Sequence, residues 1–211
     1  MKLYIVRHGV TDLNATNVRQ SSGGNLSEEG KKQAEILGKR FLNFPLDIIF
    51  SSPFPRAFQT AEIMALKLKN VPVRTIDILE EVRYPSEIIG KPKDDPRSRK
   101  VLDEIQAHFE DPNWRYSDEE TFNEFMTRAH KVLDAMLESK FENVVLVSHE
   151  RFIRVLIGVV LLGVAFTPAA FRAVRKNLYV SNTGVTVCVL DPNEGGAWRL
   201  HTLNDHAHIT G

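Results

Sequence analysis

Short apolar runs alternate along the chain with longer segments in which apolar residues recur every three or four positions. The apolar runs, bounded by glycine, proline or polar residues, predict buried β-strands, and the recurring pattern predicts amphipathic helices. The predicted strands cover residues 3–6, 46–50, 71–76, 144–147, 183–190 and 198–203. The first predicted helix begins after Ser27 and ends before Pro45, and the others cover residues 55–69, 99–109, 118–139 and 151–162.

Strands that alternate with helices predict an α/β fold with helices on both faces of a mostly parallel sheet. The last two strands are joined by residues 191–196, whose composition is typical of a loop between antiparallel strands. We therefore predict a three-layer α/β/α sandwich with an antiparallel edge. Residues 1–211 contain no repeat or linker pattern, which indicates a single domain. The stretch 82–116, rich in proline and charge, is the predicted lid or substrate-specificity insertion.

The charges of the chain balance, with 27 Lys and Arg residues against 27 Asp and Glu residues. This balance argues against nucleic acid or a membrane surface as a partner held by bulk electrostatics. The apolar stretch 155–166 is too short to span a bilayer, and no signal peptide precedes the first strand. We expect a cytoplasmic protein that holds any anion by a local cluster of residues, with self-association left open.

Two features that suggest redox or metal chemistry have simpler explanations. Cys188, the single cysteine, lies in an alternating strand pattern and is expected to be a buried thiol. His206 and His208 lie two residues apart near Asp205, but no further ligand set accompanies them. The sequence therefore predicts neither a metal site nor a cofactor.

Reactive side chains follow four of the predicted strands. In an open α/β sheet, ligands bind beyond the carboxyl ends of the strands, so these side chains are expected to meet in one crevice. The side chains concerned are Arg7 and His8 after the first strand, Ser51, Ser52 and Arg56 after the second, Glu80 and Glu81 after the third, and Ser148 and His149 after the fourth.

These residue types favour phosphoryl transfer. A neutral imidazole such as that of His8 is a nucleophile near pH 7. Arg7 and Arg56 can hold phosphate oxygens with their planar guanidinium groups. His149 would add a donor at a helix N-terminus if it were protonated. A glutamic acid can protonate the leaving alkoxide and then activate water, and Gly9 would let the backbone approach the phosphoryl group.

Four segments also carry motifs of a known family. They are Val6-Arg7-His8-Gly9 with Thr11 and Asn14, Leu26-Ser27-Glu28-Glu29-Gly30 with Gln33-Ala34, Ser51-Ser52-Pro53 with Arg56-Ala57 and Gln59-Thr60-Ala61, and Val147-Ser148-His149. Together they resemble the motifs of the histidine phosphatase superfamily, in the branch that includes cofactor-dependent phosphoglycerate mutase. The resemblance extends from Lys2 to about His208, but no motif covers residues 82–116.

The resemblance implies a role for each matching residue. His8 would accept the phosphoryl group. The phosphate pocket would consist of Arg7, Arg56 and His149, with Thr11 and Asn14 lining it. Glu81 would be the proton donor because it stands in a Leu-x-Glu arrangement like that of the family, with Glu80 as the alternative.

The chain departs from the family pattern at two positions. Glu150 follows the second histidine, where the family usually has glycine, and a carboxylate beside a phosphate weakens binding by repulsion. Glu150 either points away and pairs with Arg154 at i+4, or lies at the substrate mouth and recognises a cationic or hydroxyl group. Pro85 stands where the mutase pattern has glycine, which favours a plain phosphatase over a mutase.

We therefore expect a metal-independent phosphatase that hydrolyses a small phosphorylated metabolite through a phosphohistidine. One alternative is a phosphoglycerate mutase-type enzyme, which would need cations such as Arg83 for a second anionic group of its substrate. A second alternative is a phosphate-binding or interaction domain without turnover, but His8 and Glu81 are both present. The aromatic residues of the predicted lid either wall the mouth of the site or pack locally; they are Tyr84, Phe109, Trp114 and Tyr116.

Overall fold

A mixed β-sheet forms the centre of the protein in the computed structural model, which describes residues 1–15, 18–69 and 71–209. Its strands are β1 (Lys2–Arg7), β2 (Ile48–Ser51), β3 (Val73–Thr75), β4 (Asn143–Ser148), β5 (Val185–Asp191) and β6 (Ala197–Asp205). Their order is β3-β2-β4-β1-β5-β6. The first four in this order are parallel neighbours, β5 is antiparallel to β1, and β6 is antiparallel to β5.

The helices follow the strands along the chain, and four of those described begin at a side-chain cap. They are α1 (Asp12–Ala15), α2 (Glu28–Arg40), α3 (Pro55–Lys67), α4 (Pro96–Ala107), α5 (Phe122–Glu138), α6 (Glu150–Leu162) and α7 (Pro168–Asn177). The Ser27 hydroxyl accepts from the Gly30 N–H and caps α2 as predicted. Thr121 and Glu124 form a capping box at the start of α5, which delays that helix beyond residue 118, where the sequence pattern placed its start.

Alternate residues of the central strands supply two separate cores. Leu3 and Ile5 of β1 belong to a core that α5 and α6 cover, whereas Tyr4 and Val6 belong to a second core that α2 and α3 cover. This division follows from the two-residue period of a strand, which directs successive side chains to opposite faces. The predicted three-layer sandwich with a mostly parallel sheet and an antiparallel edge is confirmed.

Helix α6 is largely buried between the sheet and α7. Its Phe152 and Leu156 side chains are fully buried. A Cβ atom on Gly158 would lie 2.0 Å from the ring of Phe166, so only glycine fits there. Among the residues that the structure describes, no helix is long and apolar enough to cross a membrane.

Helix α7 was missing from the sequence prediction, although the chain carries a signal for it. The Thr167 hydroxyl caps the helix by accepting from the Ala170 N–H, and Pro168 occupies its first turn. Phe171 is fully buried, and Ala170 and Val174 pack against the same core at helical spacing from it. Cys188, by contrast, lies in β5 as a buried thiol, as predicted, and burial raises its pKa to about 12.

The stretch 82–116 contains a short 3-10 turn at Ser86–Ile88 and helix α4. It is joined to the loop at residues 18–22. The Arg19 guanidinium donates to the carbonyls of Pro92 and Lys93 at 3.1 Å each, and the Arg19 backbone N–H donates to Lys91 at 3.1 Å. The predicted lid is therefore held at one side by a second loop.

Candidate active site

A cavity of about 950 Å³ opens where the ends of the central strands meet the loop at 18–22, the lid segment and the start of α6. Most of the residues predicted to act together line it. They are Arg7, His8, Arg56, Glu80, Glu81, Arg83 and Glu150. His149 lies next to them, because its ring centroid is 5.1 Å from that of His8.

His8 follows the last residue of β1 and is almost completely buried. Its Nδ1 lies 2.7 Å from the Gly9 carbonyl oxygen, which can only accept, so Nδ1 carries the proton and donates. The Nε2 lone pair is then available. Burial first, and the positive charges of Arg56 and Arg7 second, hold the pKa of His8 well below 6.5. The imidazole is therefore neutral at physiological pH, the form that a nucleophile requires.

His149 is the N-cap of α6 and is fully buried. Its Nε2 lies 2.9 Å from Ser52 Oγ, and the same oxygen accepts from the Phe54 N–H at 3.2 Å. The Ser52 hydroxyl proton can therefore be donated to Nε2, which leaves Nδ1 as the protonated nitrogen. Burial and the nearby His8 lower the pKa of His149 well below 6.5. His149 is thus neutral rather than the cation considered from sequence, and in the tautomer that accepts from Ser52 it can donate through Nδ1.

Arg7 is the last residue of β1, and its guanidinium is fixed from two sides. Nη1 donates to the Val180 carbonyl at 2.6 Å, and Nη2 lies 3.1 Å from Glu150 Oε2. Its buried Nε has no hydrogen-bond partner.

Arg56, in the first turn of α3, is held by the loop that precedes α2. Its Nη1 donates to the carbonyls of Ser21 at 3.1 Å and Gly23 at 3.2 Å, and its guanidinium lies 5.2 Å from the Phe54 ring centroid. Burial lowers the pKa of Arg56 to about 10, and the charge of Glu81 opposes the shift. Even so, the side chain stays protonated at neutral pH.

Unpartnered donors surround His8. Arg7 Nε, Arg56 Nε and His149 Nδ1 are all buried, and none has a hydrogen-bond partner among the residues that the structure describes. Buried polar groups are normally paired, because an unpaired one costs about 1–3 kcal/mol. Three such donors around one imidazole therefore form a site for an anion with several oxygen acceptors, such as a phosphoryl group.

The two adjacent glutamates differ in their surroundings. The Glu81 carboxylate accepts from the backbone N–H groups of Val82 at 2.9 Å, Phe152 at 3.0 Å and Arg151 at 3.2 Å, so it is fixed to the start of α6. Glu80 also lines the cavity, and burial and the charge of Asp77 raise its pKa. The structure therefore brings both candidate acids to the cavity.

The position of Glu150 agrees in part with each of the two interpretations made from the sequence. Its Oε1 lies 2.7 Å from Arg154 Nη2, which is the expected i+4 pair. It does not point away, however, because the same carboxylate contacts Arg7 and lines the cavity. Its i+4 partner and the end of β1 lie on the same side of α6, so one carboxylate reaches both arginines.

Three further predicted residues lie around the site. Thr11 is buried, and its hydroxyl accepts from the Gln20 side-chain amide at 2.8 Å, while Gln20 itself lines the cavity. Gly9 is needed for packing, because a Cβ there would lie 2.6 Å from the Gly30 carbonyl oxygen. The side chain of Asn14 falls outside the described residues.

The sequence analysis gave no role to several residues that shape the site. Ser52 was expected in the crevice but was given no role, yet its hydroxyl contacts His149 Nε2 at 2.9 Å. Arg128 on α5 lines the cavity, forms an ion pair with Glu120 at 2.7 Å and donates to the Glu80 carbonyl at 2.6 Å. Its position on a helix face gave no signal of this contact. The sequence gave one signal that Arg19 lines the cavity, namely a cationic side chain in a polar loop.

No group of three or more His, Cys, Asp or Glu side chains among the described residues is arranged to hold a metal ion. His208 has other partners: its Nδ1 lies 3.0 Å from Arg40 Nη1 and its Nε2 lies 3.2 Å from Thr183 Oγ1. Burial lowers the pKa of His208 to about 4. These contacts attach the end of the described chain to α2 and to the segment before β5.

Comparison with known proteins agrees with this fold and site. The sequence profile of the histidine phosphatase superfamily (branch 1) matches residues 3–206. The chain therefore belongs to the histidine phosphatase superfamily, and the resemblance seen in its motifs is confirmed. Within that superfamily it is a phosphatase, a hydrolase related to the phosphoglycerate mutase-like proteins.

Individual relatives align over almost the whole chain. A probable phosphatase of Schizosaccharomyces pombe is 29% identical, with 99% of this chain and 95% of that protein aligned. Phosphoglycerate mutase-like protein 4 of Arabidopsis thaliana is 26% identical, with 99% of this chain and 86% of that protein aligned. The solved structure of YhfR from Bacillus stearothermophilus has a TM-score of 0.83 and 26% identity, with 99% of this chain and 98% of that chain covered.

Proposed function

We propose that the protein hydrolyses small phosphomonoesters through a covalent phosphohistidine on His8. The observation that carries this proposal is the state of the His8 ring. Its Nδ1 proton is engaged by the Gly9 carbonyl, its Nε2 lone pair is free, and unpartnered donors of Arg7 and Arg56 lie beside it. A neutral, oriented imidazole next to an anion site is what attack on phosphorus requires.

The reaction takes place in two displacements. In the first, His8 Nε2 forms a bond to phosphorus while the ester P–O bond breaks, and the acid gives its proton to the leaving alkoxide. In the second, the resulting carboxylate takes a proton from water, the water oxygen bonds to phosphorus, and the P–N bond breaks to release phosphate. Arg7, Arg56 and His149 hold the phosphoryl oxygens throughout, where negative charge gathers.

We assign the acid role to Glu81. Its carboxylate is held by three backbone N–H groups at the wall of the cavity and is close enough to Arg56 to oppose the fall in the pKa of that arginine. Glu80 is the second candidate, because its raised pKa would keep it protonated to a higher pH. Glu81→Gln and Glu80→Gln, compared on esters with good and poor leaving groups, decide between them. Loss of activity greatest on poor leaving groups identifies the acid.

The substrate belongs to the class of small phosphorylated metabolites. The cavity volume of about 950 Å³ falls within the range of small-molecule sites. The segment 82–116 supplies much of the wall away from the strand ends, including Tyr84, Ile89 and Leu102. We propose that it acts as the lid that sets specificity. The other aromatic residues of the segment do not line the cavity: Phe109 lies against Phe171, Trp114 stacks on His108, and Tyr116 is exposed.

Phosphate release from a panel of phosphomonoesters tests the proposal directly. The assay contains chelator and includes His8→Ala as the matched control. Release by the wild type alone supports a metal-independent histidine phosphatase. Activity retained in His8→Ala, or lost on chelation, contradicts the mechanism. Conversion of 3-phosphoglycerate to its 2-isomer without phosphate release would favour a mutase, and silence in both assays with retained phosphate binding would favour a binding domain.

A further inference from the structure

Glu150 places a carboxylate at the edge of the anion site. It lines the cavity with His8, contacts Arg7 at 3.1 Å and Arg154 at 2.7 Å, and keeps 31% of its side chain exposed. A carboxylate has about four lone-pair positions, so these two ion pairs leave acceptor capacity toward the cavity.

The carboxylate is fixed in this place. Arg154 Nε donates to the Leu178 carbonyl at 2.7 Å, and Arg7 Nη1 donates to the Val180 carbonyl at 2.6 Å, so the segment before β5 holds both partners of Glu150. Both arginines are buried. Withdrawal of Glu150 would leave two buried guanidinium groups without their counter-charge, which is strongly unfavourable. Glu150 therefore stays beside Arg7 when a substrate binds.

A substrate bound by Arg7 and His8 brings the carbon atoms next to its ester oxygen close to this carboxylate. A second negative group on those carbons is repelled, whereas an ammonium or hydroxyl group can donate to the free lone pairs. On the basis of the proposed function, we propose that Glu150 is a specificity-determining residue. It selects phosphomonoesters that carry an ammonium or hydroxyl group near the ester and disfavours those that carry a carboxylate there.

Four two-carbon esters form a matched test set: phosphoethanolamine, 2-hydroxyethyl phosphate, ethyl phosphate and phosphoglycolate. They differ in the group attached to the ester-bearing carbon, which is an ammoniomethyl, hydroxymethyl, methyl or carboxylate group. Short esters are required because the cavity wall also contains cations, including Arg83 and Lys93, that a longer substrate could reach. The measurement is kcat/KM for each ester with wild type, Glu150→Gln and Glu150→Gly. Glu62→Gln, an exposed position on α3, serves as the charge-matched control.

In the wild type, kcat/KM should be highest for the ammonium and hydroxyl esters and lowest for phosphoglycolate. Glu150→Gln should lower the ratio of phosphoethanolamine to phosphoglycolate by about 10- to 100-fold, because the two esters differ by two unit charges at a partly exposed site. Glu62→Gln should leave the ratio unchanged. A ratio that is the same in wild type and both Glu150 variants overturns the proposal. A uniform change for all four esters also overturns it, because Glu150 would then act only through Arg7.

Binding measurements test this proposal independently of the hydrolysis mechanism. Calorimetry of the same esters with His8→Ala and with His8→Ala/Glu150→Gln measures selection without turnover. The ratio of dissociation constants should shift in the same direction as the ratio of kcat/KM. If the wild type hydrolyses none of the phosphomonoesters of the panel, the proposed function is contradicted, whereas the binding ratio of these four esters still decides the role of Glu150.

Discussion

At the scale of single residues, the site depends on histidines that remain neutral. Burial and the positive charges of Arg7 and Arg56 oppose protonation of His8, and burial opposes protonation of His149. The arginines that we propose hold phosphate therefore also keep the proposed nucleophile neutral. A bound phosphoryl dianion offsets their charge, so the pKa values of both histidines rise when the site is filled.

The pH dependence of kcat/KM should show this effect. Because the pKa of His8 lies well below 6.5 in the free enzyme, activity should persist as the pH falls from 7 to below 6.5 instead of halving there. The measurement is a pH–rate profile of kcat/KM. Two esters with different second phosphate pKa values separate the ionisation of the substrate from that of the enzyme. An acidic limb centred near 6.5 for both esters contradicts the assignment.

Replacement of Arg56 by lysine should lower kcat/KM by about 100-fold or more, the cost typical of losing one donor to developing charge. One guanidinium contacts the carbonyls of Ser21 and Gly23 and still has Nε free for phosphate. A single ammonium cannot do both. The measurement is steady-state kinetics, with Arg74→Lys on the exposed strand β3 as control. Equal kcat/KM of Arg56→Lys and Arg74→Lys would show that the reaction requires only a positive charge at position 56.

The sequence predicted which residues meet at the site, but not the contacts that hold them in place. His8, Arg7, Arg56 and His149 meet as expected, because the carboxyl ends of parallel strands share one edge of the sheet. Ser52 as the partner of His149 and Arg128 in the wall were missed, because both contacts join residues far apart in the chain. Gly9 also has a packing role that the sequence did not reveal, because a Cβ there would meet the Gly30 carbonyl oxygen, while its approach to the phosphoryl group stays a prediction.

At the scale of elements, helix α6 organises the active site from its N-terminus. His149 caps it, Glu150 begins it, and the backbone N–H groups of Arg151 and Phe152 hold Glu81. A carboxylate is well placed there, because the positive end of the helix dipole favours negative charge. Any shift of α6 along its axis would therefore displace the candidate acid and the second histidine together.

Gly158→Ala should lower the free energy of unfolding by about 1–3 kcal/mol. Alanine favours a helix over glycine by about 1 kcal/mol. Here the added Cβ would lie 2.0 Å from the ring of Phe166, which is itself buried against Phe122 and Phe171 and cannot move aside. Denaturant unfolding measures the change. Gly23→Ala, where a Cβ meets only Ser21 Oγ at 3.6 Å, is the control and should be neutral or slightly stabilising. Equal stability of both variants would show that the α6 core is loosely packed.

The sequence predicted the type of most helices and strands, but not all of the residues at which they begin and end. Strands with strong apolar runs, such as β1 and β4, were placed to within two residues. Helix α4 begins at Pro96 rather than 99, because Asp95 caps it by accepting from the Ser98 N–H. Helix α7 was missing from the prediction, although Ala170, Phe171 and Val174 recur at helical spacing after the Thr167-Pro168 start signal.

At the scale of the whole molecule, the buried histidines link stability to pH. The folded protein resists protonation of His8 and His149, whereas their pKa values in the unfolded chain are near 6.5. The unfolded chain therefore takes up more protons below that pH, and the free energy of unfolding falls as the pH drops from about 6.5 toward the folded pKa values. The two histidines contribute no such loss at pH 7 and above.

Thermal unfolding between pH 7.5 and 5 should show this fall, and His8→Asn should reduce its slope. Exposed His201 on β6 supplies the control variant, His201→Asn, which should leave the slope unchanged. Inorganic phosphate should oppose the loss at low pH, because an anion favours protonation of the folded state. A melting temperature that is constant over this range would contradict the linkage.

Glu150 has a consequence for how this enzyme can diverge. Codons for glutamate and glycine differ at a single base, so one point mutation exchanges the carboxylate beside Arg7 for the glycine usual in the family. The position lies at the first turn of α6 and outside both hydrophobic cores, so the exchange leaves core packing intact. On the proposed role of Glu150, a lineage carrying this scaffold can change its preferred metabolite in one genetic step, at a cost in stability because Arg7 and Arg154 lose their buried counter-charge.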